Sequence, residues 1–328
     1  MKCINKTILS VAALSALILF AAGCGAGSEP VNDPYPEFSG AYYGFRSAAG
    51  GSGEKTFTSD LCVIGTENTD VSGTHAEISG GAGLFDMSTT DVCYAYNVHN
   101  RLFPASTTKV LTLYIAVTMG NPDDIVTVSE HAVDQPSDSS TCDLMAGDQI
   151  SLRELCYGMM LRSGNDAAIA IAEHIGGSEE GFAAIMNSVA NSLGATNSHF
   201  VNPNGLPNDD HYTTVYDMYL IMNQAVKDPS FTEIITTDVH ETNYLHADGT
   251  PVSKEWKTTN PYLNGKEAAP EGVVVLGGKT GTTQAAGYCL INLIQNMAGD
   301  LEVSTVFHAD GRSNLYLLMN EMMGGYAN

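Results

Sequence analysis

The chain has 328 residues, with 37 Asp and Glu against 14 Lys and Arg, a formal net charge of -23 and 44% apolar residues. That apolar share at this length supports the core of one large domain or two small ones and excludes a disordered or low-complexity protein. The acidic balance excludes a nucleic-acid binder, because no basic stripe exists to displace counterions from phosphates, and it leaves any anionic ligand to be held by a few local cations.

In chain order, Lys2 and Lys6 flank the start of an apolar run over residues 8–20, followed by Ala21-Ala22-Gly23-Cys24. A charged start, a short apolar stretch and small residues at a cleavage site predict an export signal over residues 1–23. A cysteine directly after the small residues resembles a bacterial lipobox, with Ala21 where leucine is usual, so Cys24 is the expected lipidation site. The expectation is an exported protein, at the cell surface or in the periplasm, lipid-anchored to a bacterial membrane. Residues 24–57 are rich in Gly, Ser and Pro and read as a flexible tether after the lipidated cysteine. The folded domain is expected over residues 58–328.

Short β-like runs follow at 61–65, 84–87 and 92–98, separated by Gly- and Thr-rich turns. Residues 106–228 read as mostly helical. Ser151-Leu152-Arg153-Glu154 has the form of a capping box, and further helices are expected at 166–175, 179–193 and 214–226, the first two stopped by glycine. Strands return at 273–276, 288–294 and 301–308, before a final helix at 313–323. Strands, a helical block and strands again predict an α+β fold: a sheet assembled from both ends of the chain, with a largely helical subdomain inserted at about 110–264 and a site at the seam. Once Cys3 leaves with the signal and Cys24 is lipidated, five cysteines remain, at 62, 93, 142, 156 and 289. Their irregular spacing matches no zinc ribbon or finger, and they read as small buried hydrophobes. The nine histidines form no short ligand set, so no metal is expected.

Three short motifs carry the chemistry. Ser106-Thr107-Thr108-Lys109 opens an apolar run, and on a helix positions three apart share a face, so the Ser106 hydroxyl and the Lys109 amine can meet. A serine attacks only after a base takes its proton, and a lysine is that base only when burial and neighbouring cations lower its pKa. Alone the pattern is weak, since Ser52 and Lys55 repeat the spacing within the tether, and a capping serine beside a solvated lysine reads equally well. Ser163-Gly164-Asn165 falls between two expected helices, where side chains can project into a cleft or cap a helix. Lys279-Thr280-Gly281, followed by Thr282-Thr283, reads either as a polar turn or as an edge strand whose lysine and hydroxyl grip a carboxylate while Gly281 admits a ligand backbone.

Taken together, in this order, the three motifs resemble those of the penicillin-recognising serine enzymes. Phe103 to Ser106, residues 161–168, residues 200–206 and residues 278–282 sharpen the likeness to the low-molecular-mass D-Ala-D-Ala carboxypeptidases, over about residues 84–323. The resemblance implies a β-lactamase/transpeptidase-like fold, an antiparallel sheet flanked by helices with a largely helical subdomain. It implies Ser106 as the acylated nucleophile, Lys109 as its general base and Ser163 as a proton relay towards the leaving group. Asn165 would orient Lys109 and the substrate amide. Lys279 and the hydroxyls of Thr280 and Thr282 would bind the terminal carboxylate, and the backbone N–H groups of Ser106 and Thr282 would form the oxyanion hole. The implied substrate is a peptidoglycan stem peptide ending in D-Ala-D-Ala, with β-lactams as covalent inhibitors and neither cofactor nor metal. The β-rich second domain and the C-terminal amphipathic anchor of many relatives are not expected here, and residues 61–82 precede the family's usual first strand without an evident role.

A serine β-lactamase is the nearest rival. It would need a means of activating a deacylating water, yet the one Leu-Asn pair, Leu263-Asn264, has Asn260 where a Glu-x-x-Leu-Asn motif needs its acid. Tyr262-Leu263-Asn264 has the Tyr-x-Asn form of another lactamase class but lies too close to Lys279 for that layout. A zinc peptidase would show a histidine-rich signature. A non-catalytic surface protein that binds β-lactams or wall peptides is the remaining alternative, and it would tolerate loss of Ser106.

Overall fold

The computed structural model describes residues 59–325; the export signal, Cys24, the tether and the Ser52/Lys55 spacing lie outside the described residues. A 3-10 turn at Ala76–Ile78 leads into β1 (Gly81–Asp86), which forms a hairpin with β2 (Val92–Tyr96). A second 3-10 turn, Ala105–Thr108, passes directly into α1 (Lys109–Met119). Next come β3 (Ile125–Thr127), α2 (Glu130–Val133), β4 (Gln149–Ser151), α3 (Leu152–Leu161), α4 (Asn165–Gly176), α5 (Glu179–Ser192), α6 (Val215–Ala225) and α7 (Pro229–Thr236). The hairpin β5 (Val239–Leu245) and β6 (Pro251–Lys257) precedes β7 (Val274–Thr283), β8 (Gly287–Gln295), β9 (Leu301–Ala309) and α8 (Arg312–Gly325).

Local chemistry sets the helix ends. The Ser151 hydroxyl accepts from the Glu154 N–H at 3.3 Å, Ser178 accepts from Gly181, Thr214 from Asp217, and the Asp228 carboxylate from Ser230 and Phe231, so four helices begin with a side chain satisfying free N–H groups. Gly177, at φ +74°, ends α4 in the left-handed conformation that glycine adopts without steric cost.

The main sheet runs β2-β1-β9-β8-β7, antiparallel throughout, and it closes where β1 meets β9, with Gly83 opposite Thr305 and Phe85 opposite Val303. The period of two along each strand divides its side chains between two cores. Phe85, Ile291, Leu293, Val303 and Phe307 face the inserted helices, where Phe85 stacks on Tyr219 of α6 with ring centroids 4.4 Å apart. Leu84, Leu290, Ile294 and Val306 face α8 and meet Leu315, Leu318, Met319 and Met322. Helix α1 lies within the first core, with Val110, Leu111, Leu113 and Ile115 buried.

Two expectations change. Residues 61–65 form no strand. The Cys62 N–H donates to Tyr219 Oη and its carbonyl accepts from Tyr216 Oη, both at 2.8 Å, so side chains of α6 take the backbone groups a neighbouring strand would have taken. Residues 69–78 continue this cover: Thr69 bridges to Ala95 of β2, and Val71 and Ile78 pack on the second core. The insertion also holds a four-stranded antiparallel sheet, β3-β4-β5-β6, which the helical reading omitted. β3 and β4 have three residues each, too few to display a period. The β5–β6 hairpin was legible, because Asp248-Gly249, with Gly249 at φ +84°, is a tight-turn pair between two runs.

Tyr219→Phe removes the acceptor of a buried N–H and should lower stability by about 1–3 kcal/mol. Urea unfolding should show a lower midpoint with an unchanged slope; an unaltered midpoint would mean that the Cys62 segment contributes nothing to the fold.

Candidate active site

Ser106 sits in the 3-10 turn that enters α1, and the turn is held by its own neighbours. Thr107 Oγ1 donates to the Pro104 carbonyl at 2.7 Å, and Ala105 has φ +49°, a left-handed conformation costing a non-glycine residue of order 1–3 kcal/mol. Thr108 Oγ1 meets His211 Nε2 at 2.9 Å. Because the Val201 N–H donates to His211 Nδ1, the proton of this buried ring lies on Nε2 and is donated to Thr108; burial lowers the His211 pKa to about 3 and keeps the ring neutral.

Lys109 follows one turn after Ser106 and is fully buried. Its Nζ lies 2.7 Å from Asn165 Oδ1, 2.8 Å from the Asn204 carbonyl and 3.0 Å from Ser106 Oγ. Two of these three atoms can only accept. A neutral amine has two N–H bonds for them and a lone pair left for the serine hydroxyl. Burial, and then the positive charge of Lys279, hold the Lys109 pKa well below its ordinary value, which favours that neutral form.

Ser163 and Lys279 form a second pair behind the first. Ser163 lies between α3 and α4, buried, with φ +59°. Its Oγ accepts from Lys279 Nζ at 3.0 Å, and the same amine donates to the Thr280 carbonyl at 2.9 Å. Burial lowers the Lys279 pKa to about 7. Asn165 begins α4 and is buried beside Ser163, so all three motifs converge: Ser106 with Lys109, Lys109 with Asn165, and Ser163 with Lys279.

Strand register separates the remaining candidates. β7 is an edge strand; Lys279 pairs with Ile291, which faces the helical core, whereas Thr280 pairs with Leu290, which faces α8. Thr280 Oγ1 accordingly lies 3.1 Å from Thr259 Oγ1 and lines a small pocket with Tyr288, Arg312 and Tyr316, apart from the cleft at Ser106. Thr282, exposed near the strand end, lines both the pocket and the cleft. Gly281 lies against the turn that carries Ser106. A Cβ there would lie 3.0 Å from both the Ser106 nitrogen and the Pro104 carbonyl, so its absence lets β7 pack against the nucleophile turn.

Other contributors escaped the sequence reading. Asn204 supplies a carbonyl to Lys109, and Pro203 supplies one to Thr112 Oγ1 a helical turn later, so the loop at 202–206 is tied to α1 twice. Gly205, at φ +85°, comes so close to Ala105 that a Cβ would strike its carbonyl. The one available signal was this segment's place among the stretches that carried the resemblance. Asp166 is buried and accepts from the N–H groups of Cys142, Leu144 and Ala167, while the Asn165 N–H donates to the Ser140 carbonyl at 2.8 Å. Burial raises the Asp166 pKa against the lowering effect of those N–H groups. The loop so anchored forms one wall of the cleft at Ser106, whose volume is about 360 Å³.

The rival motif lies elsewhere. Tyr262 Oη donates to Asn320 Oδ1 and its ring meets Tyr316 edge-on, while Asn264 donates to the Thr258 carbonyl; neither lines the cleft. The five cysteines of the described residues are not paired with one another, and four of them are buried. No helix among the described residues is long and apolar enough to cross a membrane.

A family model described as D-alanyl-D-alanine carboxypeptidase matches residues 69–310. D-alanyl-D-alanine carboxypeptidase DacF of Bacillus subtilis (strain 168) is 36% identical over 214 residues, covering 64% of this chain and 52% of that protein. DacC of Escherichia coli (strain K12), described in the same words, is 34% identical over 220 residues, covering 63% of this chain and 51% of that protein. The chain thus spans about half the length of these curated relatives. The crystal structure of the Streptomyces K15 DD-transpeptidase superposes with a TM-score of 0.70 at 27% identity, covering 76% of this chain and 97% of that one.

The buried Lys279 makes stability depend on pH. Its pKa of about 7 lies below the ordinary 10.5, so between these values the unfolded chain binds more protons than the folded one. Stability from this group therefore rises with pH across that window. Lys279→Met should remove the contribution, so that the Tm of the variant relative to wild type falls steadily from pH 7 to pH 10. A difference independent of pH would contradict a buried amine that titrates low.

Proposed function

The chain belongs to the D-alanyl-D-alanine carboxypeptidase family, and on that premise we propose that it is a serine peptidase that removes the terminal D-alanine from peptidoglycan stem peptides through an acyl-enzyme. The observation that carries this reading is the Lys109 amine, buried between Asn165 Oδ1 and the Asn204 carbonyl with Ser106 Oγ at 3.0 Å.

In the proposed reaction the Ser106 O–H proton passes to the Lys109 lone pair as Oγ bonds to the carbonyl carbon between the two D-alanines. The oxyanion so formed is held by the backbone N–H groups of Ser106 and Thr282, the second of which follows Gly281, whose Cα lies close to the Ser106 nitrogen. Collapse breaks the C–N bond. The departing D-alanine amine takes, through Ser163, the proton that Lys109 accepted, and Ser163 is itself hydrogen-bonded to Lys279 Nζ. Asn165 holds Lys109 and presents its amide N–H to the substrate. Water, activated at the same place, resolves the ester. Lys279 binds the terminal carboxylate with Thr282, and Thr280 acts from the pocket behind, where Arg312 adds a second cation. β-Lactams acylate Ser106 in the same way and leave slowly, because their amine stays tethered to the acyl group. Export and a lipid at Cys24 would place the domain beside its substrate, with residues 24–57 as the spacer.

D-alanine release from a D-Ala-D-Ala-terminated muramyl pentapeptide, assayed on the soluble chain lacking the signal and Cys24, tests the reading. Wild type should release it and Ser106→Ala should fall to background; a folded wild type without release would refute it. Lys109→Ala should abolish acylation by penicillin, and an unchanged acylation rate would remove the general-base assignment. Lys279→Ala should raise KM, by about tenfold or more, for peptides with a free C-terminal carboxylate. Equal effects on amidated peptides would contradict the carboxylate role.

A further inference from the structure

The cleft at Ser106 has one charged side chain among the described residues that line it, and it is an acid: Asp138. Asp138 is exposed, and no hydrogen bond or ion pair among the described residues occupies its carboxylate. The Ser139 N–H donates to the Pro136 carbonyl at 2.9 Å, which closes a turn with Asp138 near its tip. Ser140 and Cys142, just beyond, are tied to Asn165 and Asp166 as described above. Ser139 and Ser140 line the same wall and offer neutral hydroxyls beside the carboxylate.

Both lysines of the site are buried and neither lines the cleft, whereas Thr282, Thr283 and Gln284, successively farther along the chain from Lys279, do line it. A peptide whose terminal carboxylate is drawn to Lys279 and Thr282 therefore extends its upstream residues towards the part of the cleft bounded by Gln284, Pro207 and the turn bearing Asp138. The residue directly before the acylated D-alanine lies about 3.6 Å at most farther along the chain, and a four-carbon amine adds about 6 Å of reach. An ammonium carried there meets a carboxylate that has no other partner.

We propose that Asp138 makes the enzyme selective for stem peptides whose residue preceding the D-Ala-D-Ala pair carries a free side-chain ammonium. The inference rests on the carboxypeptidase reading and specifies its substrate class. A stem whose amine has been acylated in a cross-link has lost the recognised charge, so the preferred substrates are stems not yet linked through that amine.

The test compares kcat/KM for D-alanine release from two pentapeptides that differ only in a free or an acetylated side-chain amine on a lysine at that position. A half-solvated ion pair of about 1 kcal/mol corresponds to a roughly three- to fivefold preference for the free amine in the wild type. The ratio should fall to near one in Asp138→Asn and below one in Asp138→Lys, and in the wild type it should shrink as salt is raised. Each protein serves as its own control, since both peptides report on the same folded sample. A wild-type ratio of one, or a preference that survives Asp138→Asn, would overturn the assignment. Release from neither peptide would instead overturn the carboxypeptidase reading, and this inference with it.

Discussion

The site depends on keeping an amine out of water. Lys109 lies among α1, the start of α4 and the loop at 202–206, and its hydrogen-bond partners among the described residues are a serine hydroxyl and two carbonyl-type acceptors. A charged ammonium in that place would forgo its hydration, and a second buried lysine nearby adds repulsion. Both effects lower the Lys109 pKa and favour the neutral amine beside Ser106, as the proposed general base requires. Each wall has to be in place, which explains why so much structure remote in sequence is fastened to the first turn of α1. Thr108 is tied to His211, Thr112 to Pro203, and Asn165 to Ser140.

Two local strains are part of this arrangement. Ala105 and Ser163 both adopt left-handed backbone conformations without being glycines, one immediately before the nucleophile and the other in the middle motif. Each is held by surrounding hydrogen bonds: the Thr107–Pro104 closure beside Ala105, and the Lys279 donation to Ser163. Glycine is reserved for the positions where backbones touch. Gly205 against Ala105 and Gly281 against Ser106 let three chain segments meet at van der Waals distance around the serine.

Charge is distributed to match. The molecule carries -23 overall, yet two of its few lysines are buried together at the catalytic seam and the visible lining of the cleft is neutral apart from Asp138. The two amines are buried and the carboxylate of Asp138 lines the cleft, an arrangement that suits the proposed substrate, a peptide with a terminal carboxylate and an upstream amine.

Much of this was legible in the sequence because motif chemistry and period are local. The helix caps at Ser151 and Thr214, the three strands after residue 272 and the three motifs could be read from residue type and spacing. Three-residue strands could not, since no period fits in them, and residues 61–65 looked strand-like because the sequence cannot say whether a neighbouring strand or the hydroxyls of Tyr216 and Tyr219 will take their backbone groups. Residue type alone determined that a serine, two lysines and an asparagine were available for acyl transfer. Only the tertiary structure decided that β7 turns Lys279 towards Ser163 and Thr280 towards Arg312, that Gly281 makes room for the nucleophile turn, and that Asn204 supplies a carbonyl. Pairing register and close approach between distant segments are properties of the packed chain, and no local pattern encodes them.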